Sequence, residues 1–477
     1  MQFKKKLIPA LVFSAVVSGG LVAGISNVYA DDSDELAKLR AQIEELDQKI
    51  KILDRKSEIA AEESAAKKKE TPIVSASKDG FGFKSADGNF DIRFKALLQL
   101  DYRSFYDHGN TPLNVSGFDF RRIRPTIDGT LWGKYDFRFT PEFGEDKTTV
   151  DSGIVDAYVD ARFTPYFQVK AGKFKPFLGL ERLQSGSDLK FIERSYVSNN
   201  IEPNRDVGAS IHGDILDGKV NYAVGVFNGV VDGGDNKTLQ DTSTDKDYAA
   251  RIFVTPFKDT DSVFAGLGVG LSASHGNFLG NTTNTGLPSY KTPGQQQNFF
   301  TYTNTIGNGD HDRISPQGYF YYGPFGVIAE YAQVSQDVQL TTGTKLKGSL
   351  DNSAWQIAGS WLLTGEDASF KGVKPKQVFD ADGGGWGAWE LVARYEQNDI
   401  DSGAFTTPTQ VRFASPVTNS KTASSWAAGV NWYLNQNVRL EANYEQTSFD
   451  LGGGGTIAHP IDRPDEKILF TRLQLSY

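Results

Sequence analysis

The sequence contains no cysteine and only one methionine among its 477 residues. The lack of cysteine excludes disulfide bonds, so an exported form of this chain would depend on its hydrogen-bonded architecture or its core for stability. Beyond the first thirty residues, no apolar run approaches the roughly 20 residues that a membrane-spanning helix requires. The formal net charge is −9, and this shortage of positive charge argues against nucleic acid as a partner.

The first thirty residues have the features of a secretory signal peptide. A run of three lysines precedes an apolar stretch, and Val28 and Ala30 supply small residues before a predicted cleavage site. Serine and glycine residues within the stretch make an uncleaved membrane anchor the less favoured alternative. We therefore expect residues 1–30 to be removed on export.

A different periodicity follows in the next segment. Apolar residues recur with a period of 3.5, at Leu36, Leu39, Ile43, Leu46, Ile50 and Leu53. This narrow seam favours a short periplasmic coiled coil over residues 31–60, whereas a lone amphipathic helix packed on its own protein is the alternative. Residues 61–80, which contain Pro72, are predicted to form a linker.

From Phe90 onward the period changes to two, which is the period of a β-strand. Sixteen alternating runs lie between residues 90 and 477, and many of them are about ten residues long. Gaps of two to four residues separate some runs, and long polar segments such as 335–352 and 365–386 separate others. This pattern is typical of a transmembrane barrel, whereas a soluble β-sandwich needs only about seven to nine strands.

The sequence therefore predicts an all-β fold, a 16-stranded antiparallel transmembrane outer-membrane β-barrel with a short N-terminal coiled-coil helix. The barrel is expected over residues 81–477. In the last run, "EKILFTRLQLSY", Leu473, Leu475 and Tyr477 share one face, and Arg472 and Gln474 share the other. We expect the first face to contact lipid, the second to face the lumen, and this strand to close the barrel on the first one.

The predicted inward face of the barrel is rich in cations. They are Arg93, Lys95, Arg122, Arg124, Arg138, Arg162, Lys170, Arg251, Arg313, Arg394, Arg439 and Arg472. Arginine presents a planar fork of donors that matches an oxyanion. Carboxylates such as Asp156 share this face, so periodicity alone leaves two alternatives open, an anion pathway and a wall that neutralises itself with ion pairs.

The segment after the fifth run differs from an ordinary loop. It contains Lys173, Lys175, Arg182, Ser185 and Arg194, but it also carries many large apolar residues that a loop in water would leave exposed. We expect it to fold back into the barrel over residues 175–206 and to narrow the pore.

Several segments resemble the phosphate-selective porin family, which includes porin O and porin P. They are "FDFRRIRPTIDGTLWG", "VKAGKFKPFLGLERL", "FIERS", "PNRDVGASI", "GAWELVARYE" and "GVNWYLNQNV", and the resemblance covers residues 90–477 in the same order. The resemblance implies a trimeric, sixteen-stranded porin whose third long loop folds into the pore.

The resemblance also implies roles for individual residues. Arg121, Arg122 and Arg194 would be constriction cations, and Asp156 would be the carboxylate beside them. Together with the periodicity, it gives an expected anion pathway of twelve residues: Arg121, Arg122, Arg124, Asp156, Lys170, Lys173, Lys175, Arg182, Ser185, Arg194, Arg251 and Arg313.

We expect an outer-membrane porin of a Gram-negative bacterium that passes small hydrophilic solutes, with a preference for phosphate-like oxyanions. A weakly selective general porin is one alternative, and a structural or adhesive barrel tethered through its coiled coil is another. The expected partners are further copies in a homotrimer, outer-membrane lipid and lipopolysaccharide, small anions, and the cell wall or a second coil through residues 34–56. The five histidines form no paired motif, so we expect no catalytic residue, cofactor or metal.

Overall fold

A computed structural model describes residues 32–77, 80–106, 114–146, 149–150, 153–236 and 245–477. The predicted signal peptide, residues 1–30, lies outside the described residues. The chain divides into two units, Met1–Glu70 and Thr71–Tyr477. In the part of the chain that is described, no helix combines the length and the apolar composition needed to cross a membrane.

The first unit contains one described helix, α1, which spans Asp32–Glu70. Its apolar seam is open in the single chain, with Leu36 53% exposed and Leu53 65% exposed. The helix continues to Glu70, into the segment that was predicted as a linker, because residues 58–70 consist largely of strong helix formers such as alanine, glutamate and lysine.

The second unit is built from strands. In chain order they are β1 (Ile73–Ser77), β2 (Gly80–Lys84), β3 (Asp91–Phe105), β4 (Gly117–Leu131), β5 (Tyr135–Pro141), β6 (Glu145–Asp146), β7 (Thr149–Val150), β8 (Ile154–Thr164), β9 (Phe167–Phe174), β10 (Asp206–Ile215), β11 (Val220–Phe227), β12 (Asp247–Val254), β13 (Leu267–Leu279), β14 (Ser289–Lys291), β15 (Asn298–Thr301), β16 (Thr305–Tyr322), β17 (Phe325–Leu340), β18 (Lys347–Leu362), β19 (Ala388–Asp399), β20 (Ser420–Tyr433), β21 (Val438–Gly455), β22 (Pro460–Asp462) and β23 (Glu466–Ser476). Short helical turns cover Val197–Ile201, Val263–Gly266 and Ser402–Ala404.

Within the described residues, sixteen of these strands close an antiparallel barrel: β3–β5, β8–β13, β16–β21 and β23. The last strand pairs with the first, with Leu475 opposite Leu98. The backbone N–H of Tyr477 donates to the carbonyl of Ala96 at 3.1 Å, and the reciprocal bond is 3.0 Å long. Closure satisfies the backbone groups of both edges, which a barrel in lipid requires. The hairpin of β1 and β2 extends the wall beside β3, with Phe81 opposite Phe94.

The final strand has the predicted alternation in its second half. Leu473 and Leu475 are exposed on the outer face, whereas Arg472 and Gln474 are buried on the inner face. In the first half of the same strand, Phe470 also points inward and is buried. The outward residues match a lipid environment, and the inward ones contact the contents of the barrel.

The connections at one end of the barrel are short, as at residues 132–134, 323–324 and 434–437, and we call this the turn end. The opposite end, the loop end, carries the long connections. Two predicted loops differ from this scheme. Residues 335–352 are mostly strand, because β17 continues to Leu340 and β18 begins at Lys347. Residues 363–387 form a long connection at the turn end rather than at the loop end.

The error at residues 335–352 has a physical cause. Near the loop end, most inward side chains of β17 are apolar, and Val334 and Val338 are fully buried. They pack against aromatic residues of connections that fold into the barrel, including Tyr290, Phe300 and Phe413. The apolar face is therefore the inner face here, which is the reverse of the lipid pattern. This apolar core fills one side of the lumen near the loop end.

Candidate functional site

The connection between β9 and β10, residues 175–205, lies inside the barrel and is called the inserted loop below. Most of its apolar residues are buried, with Leu189 and Val197 at 0% exposure. Ile192 packs with Phe470 of the last strand, and Phe191 packs with Val392 of β19. Apolar contacts with β19 and β23, away from the strands β9 and β10 that carry the loop, thus hold it across the lumen.

Polar groups of the wall also hold the inserted loop. Glu330 accepts the backbone N–H of Glu181 at 3.0 Å, and Asn443 accepts that of Ile192 at 2.9 Å. Arg472 donates to the carbonyl of Ile192 at 2.8 Å. Each bond satisfies a backbone group that burial would otherwise leave without a partner.

Three inward arginines combine this tethering with a carboxylate partner. Arg472 makes a bidentate pair with Asp101, with distances of 2.6 and 2.8 Å. Arg439 pairs with Glu441 at 2.9 Å and donates to the carbonyl of Leu189. Arg394 pairs with Glu396 at 3.1 Å and donates to the carbonyl of Glu193 at 3.0 Å. For this part of the wall, the self-neutralising interpretation is correct.

A chamber of about 360 Å³ lies beside the inserted loop, against β4, β8 and β9. Three acidic side chains line it, Glu142, Asp232 and Asp235. Eight cationic side chains line it, and they are Arg121, Arg122, Arg124, Lys173, Arg182, Arg194, Arg205 and Lys291. The chamber therefore carries a clear excess of positive charge in a protein whose net charge is negative.

A β-bulge brings two consecutive arginines to the same side of the wall. In the pairing of β3 with β4, Gln99 lies opposite Arg122 and Leu100 lies opposite Phe120, so Arg121 is the additional residue. Strict alternation would send one of the two arginines into lipid, whereas a bulge lets both reach the chamber. The order of residue types along the strand cannot reveal this shift, because it depends on the pairing partner.

Three of the lining arginines already form ion pairs with carboxylates. Arg121 pairs with Glu193 at 2.6 Å and Arg124 pairs with Glu142 at 2.5 Å. Arg205, which is not among the twelve predicted pathway residues, pairs with Asp156 at 3.0 Å. These groups are held in place at the margin of the chamber.

A second group of cations at the inserted loop has only neutral hydrogen-bond partners among the described residues. Arg122 donates to the side-chain oxygen of Gln99 at 2.6 Å. Lys175 and Arg194 both donate to the backbone carbonyl of Gln184, at 2.7 and 2.9 Å. Arg182 donates to the carbonyl of Glu202 at 3.4 Å. The Nε atoms of Arg122 and Arg182 are buried and have no hydrogen-bond partner within the described part of the chain.

Two cations of the inserted loop have lowered pKa values, because they are buried close to other cations. Burial, together with nearby Arg194 and Arg205, holds the pKa of the Lys175 ammonium well below its usual value. Burial and the neighbouring Arg182 lower the pKa of Arg194 to about 9. Cations that depress one another's pKa in this way would be stabilised by an anion bound among them.

The remaining predicted pathway residues lie elsewhere. Lys170 pairs with Asp160 at 3.1 Å, and Arg251 hydrogen-bonds Gln317. Arg313 is buried in an ion pair with Asp232 at 2.8 Å. Alternation correctly turns these side chains inward, but each finds a polar partner, on another strand for Lys170 and Arg251 and in the connection between β11 and β12 for Arg313.

A second chamber of about 490 Å³ lies on the other side of the inserted loop, towards the turn end. Ser185, Ser187 and Asp188 of the inserted loop line it, and so does Tyr477. Its cationic lining residues are Arg93, Lys95, Arg138, Lys371, Lys374 and Arg439. Among the described residues, no side chain lines both chambers, so the tip of the inserted loop separates them.

A closed sixteen-stranded barrel with a polar lumen and an inserted loop defines an outer-membrane diffusion channel, a porin. The chain belongs to the phosphate-selective porin O and P family, whose model matches residues 92–453. It is 25% identical to porin O of Pseudomonas aeruginosa over 79% of this chain and 87% of that protein. The family indicates a channel of the Gram-negative outer membrane, whose short turns face the periplasm.

A solved structure has the same fold. The outer-membrane channel DcaP of Acinetobacter baumannii superposes with a TM-score of 0.51 at 10% identity, covering 83% of this chain and 99% of that one. This similarity concerns the barrel architecture alone.

Proposed function

We propose that this porin is selective for small oxyanions, which pass through the chamber of about 360 Å³ and along the inserted loop. The observation that carries the proposal is the charge of this chamber, where eight cationic and three acidic side chains meet. Low-dielectric walls focus the field of these charges and raise the local concentration of anions.

The predominance of arginine among these cations supports selectivity for oxyanions rather than for anions in general. Arg122, Arg182 and Arg194 offer planar forks of donors that match phosphate-like or carboxylate groups. Their present partners are amide or carbonyl oxygens, which an incoming oxyanion can replace with a stronger charge-assisted bond. Because each contact is also available to the protein itself, an anion is released as well as bound, which conduction requires.

The paired residues have a different role in this proposal. Glu193 holds Arg121, Glu142 holds Arg124, and Asp156 holds Arg205. These carboxylates keep the cations oriented and reduce the total charge, so that an anion is attracted without being trapped. A weakly selective general porin is the competing proposal, and it requires the four unneutralised cations to have no effect on permeation.

The direct test is the reversal potential of the purified protein in a planar bilayer under a gradient of potassium chloride. We expect the sign that corresponds to chloride permeation, and we expect added inorganic phosphate to reduce the chloride current. A cation-selective or unselective reversal potential would refute the proposal, and the absence of any current would favour a structural or adhesive barrel.

We further propose that the barrel forms a homotrimer in lipid and lipopolysaccharide, and that α1 makes a coiled coil through its seam. The support is the exposed seam and, for the trimer, the family resemblance. Deleting residues 31–70 should leave a heat-modifiable barrel with unchanged conductance, because the strands that close the barrel lie outside this segment. Loss of insertion after this deletion would instead make the helix a part of assembly.

A further inference from the structure

The connection between β18 and β19, residues 363–387, is unusually long for the turn end. Its middle part, residues 366–374, turns into the barrel mouth and is called the inner turn segment. Ala368 and Val373 are buried there against Leu362 and Tyr433. The backbone N–H of Ala368 donates to the carbonyl of Gly323 at 2.7 Å. The segment is therefore fixed to the periplasmic rim of the barrel.

The inner turn segment also contacts the inserted loop, on the side of the loop that faces the turn end. The ring of Phe370 stacks on Tyr319 with centroids 5.5 Å apart, and it packs against the cluster that contains Leu180 of the inserted loop. The side-chain amide of Gln184 donates to the carbonyl of Phe370 at 2.8 Å.

A third contact involves a glycine. Gly372 has a φ of +84°, and a Cβ atom at this position would lie 3.2 Å from the carboxylate of Asp188. A left-handed backbone without a side chain lets the inner turn segment approach the tip of the inserted loop closely.

Gln184 connects this support to the cations of the proposed pathway. While its side chain is held by the inner turn segment, its backbone carbonyl accepts hydrogen bonds from both Lys175 and Arg194. A shift of Gln184 would therefore move the common partner of two cations that have no carboxylate partner among the described residues.

We propose that the inner turn segment is a positioning element of the anion pathway, and that it sets the places of Lys175 and Arg194 through Phe370 and Gln184. This inference rests on the proposed anion selectivity and extends it to residues at the periplasmic rim. It assigns a specificity-determining role to a connection at the end of the barrel opposite to the long loops.

The test compares three single variants with the wild type in planar bilayers. Phe370→Ala removes the ring contacts, and Gln184→Met removes the amide donor at nearly constant length. Val378→Ser is the matched control, because Val378 belongs to the same connection but is 55% exposed. We expect the first two variants to lower the permeability ratio of chloride to potassium severalfold and to change the single-channel conductance, while the control behaves as wild type.

A coupling measurement separates positioning from general loosening. Lys175→Met should shift the reversal potential less in the Phe370→Ala background than in the wild type, because Lys175 is already displaced there. Wild-type permeability and conductance in folded, heat-modifiable Phe370→Ala and Gln184→Met would overturn the inference. If the wild type itself is not anion-selective, the proposed function fails, and the conductance of the two variants relative to Val378→Ser still decides whether the segment positions the loop.

Discussion

Gly186 at the tip of the inserted loop lies against the side chain of Arg122. A Cβ atom on Gly186 would stand 3.4 Å from Cδ of Arg122 and 3.3 Å from a methyl group of Leu97. Gln99 joins the two residues, since its amide donates to the carbonyl of Gly186 and its oxygen accepts from Arg122. The tip of the inserted loop is thus in direct contact with Arg122, a wall cation that lines the proposed anion pathway.

This contact predicts a narrower or displaced pathway when Gly186 gains a side chain. In Gly186→Val, the branched side chain requires Arg122 or Leu97 to move, so we expect a lower single-channel conductance from a barrel that remains heat-modifiable. Gly117→Val is the control, because a Cβ atom there meets nothing within 4 Å. Equal conductances of the two variants would contradict the contact.

We expect Arg472 to contribute to the stability of the folded barrel and Arg122 to contribute little to it. Arg472 holds buried Asp101 with two hydrogen bonds, and breaking a buried pair costs about 3 kcal/mol or more. Arg472→Met should therefore lower the temperature at which the folded form is lost on heated gels. Arg122→Met should leave that temperature unchanged or raise it, because Arg122 has no ion pair among the described residues. A similar loss in both variants would show that Arg122 is also structural.

Anion selectivity should fall at alkaline pH because of Lys175. The pKa of this ammonium is lowered by burial and by neighbouring cations, so its charge is present at low pH and is lost as pH rises through that lowered pKa. We expect the chloride preference to weaken as pH rises, at pH values well below the usual lysine pKa of about 10.4.

The matched variant for this pH effect is Lys175→Arg. Its guanidinium keeps its charge at higher pH, so the pH dependence of the reversal potential should become smaller. If the wild type and Lys175→Arg respond equally to pH, another group is responsible.

The strands and their inward cations were predictable because lipid imposes a local rule. Wherever the outer face meets lipid, apolar and polar residues alternate, as in Arg472 and Leu473 of β23. The rule fails near the loop end, where Val334 and Val338 of β17 pack inward on other connections. The inward packing of those valines depends on contacts with segments far away in the sequence, which the local pattern does not contain.

The candidate site was predictable by residue type but not by partner. Arg122, Arg182 and Arg194 do line one chamber, whereas Arg313 lies in a buried pair with Asp232. The alternation of a strand gives the direction of a side chain, but the neighbour that it meets depends on register and on the inserted loop. The bulge that turns Arg121 inward is a property of the pairing between β3 and β4.

The most direct measurement of the central claim is the reversal potential of Arg122→Glu compared with Lys347→Glu. Both variants reverse one charge, but Arg122 is 2% exposed at the chamber, whereas Lys347 is exposed at the loop end of β18, where salt screens it within about 8–10 Å. We predict that Arg122→Glu lowers the permeability ratio of chloride to potassium severalfold and weakens block by phosphate, while Lys347→Glu has little effect. Equal shifts in the two variants, or a cation-selective wild type, would contradict the account.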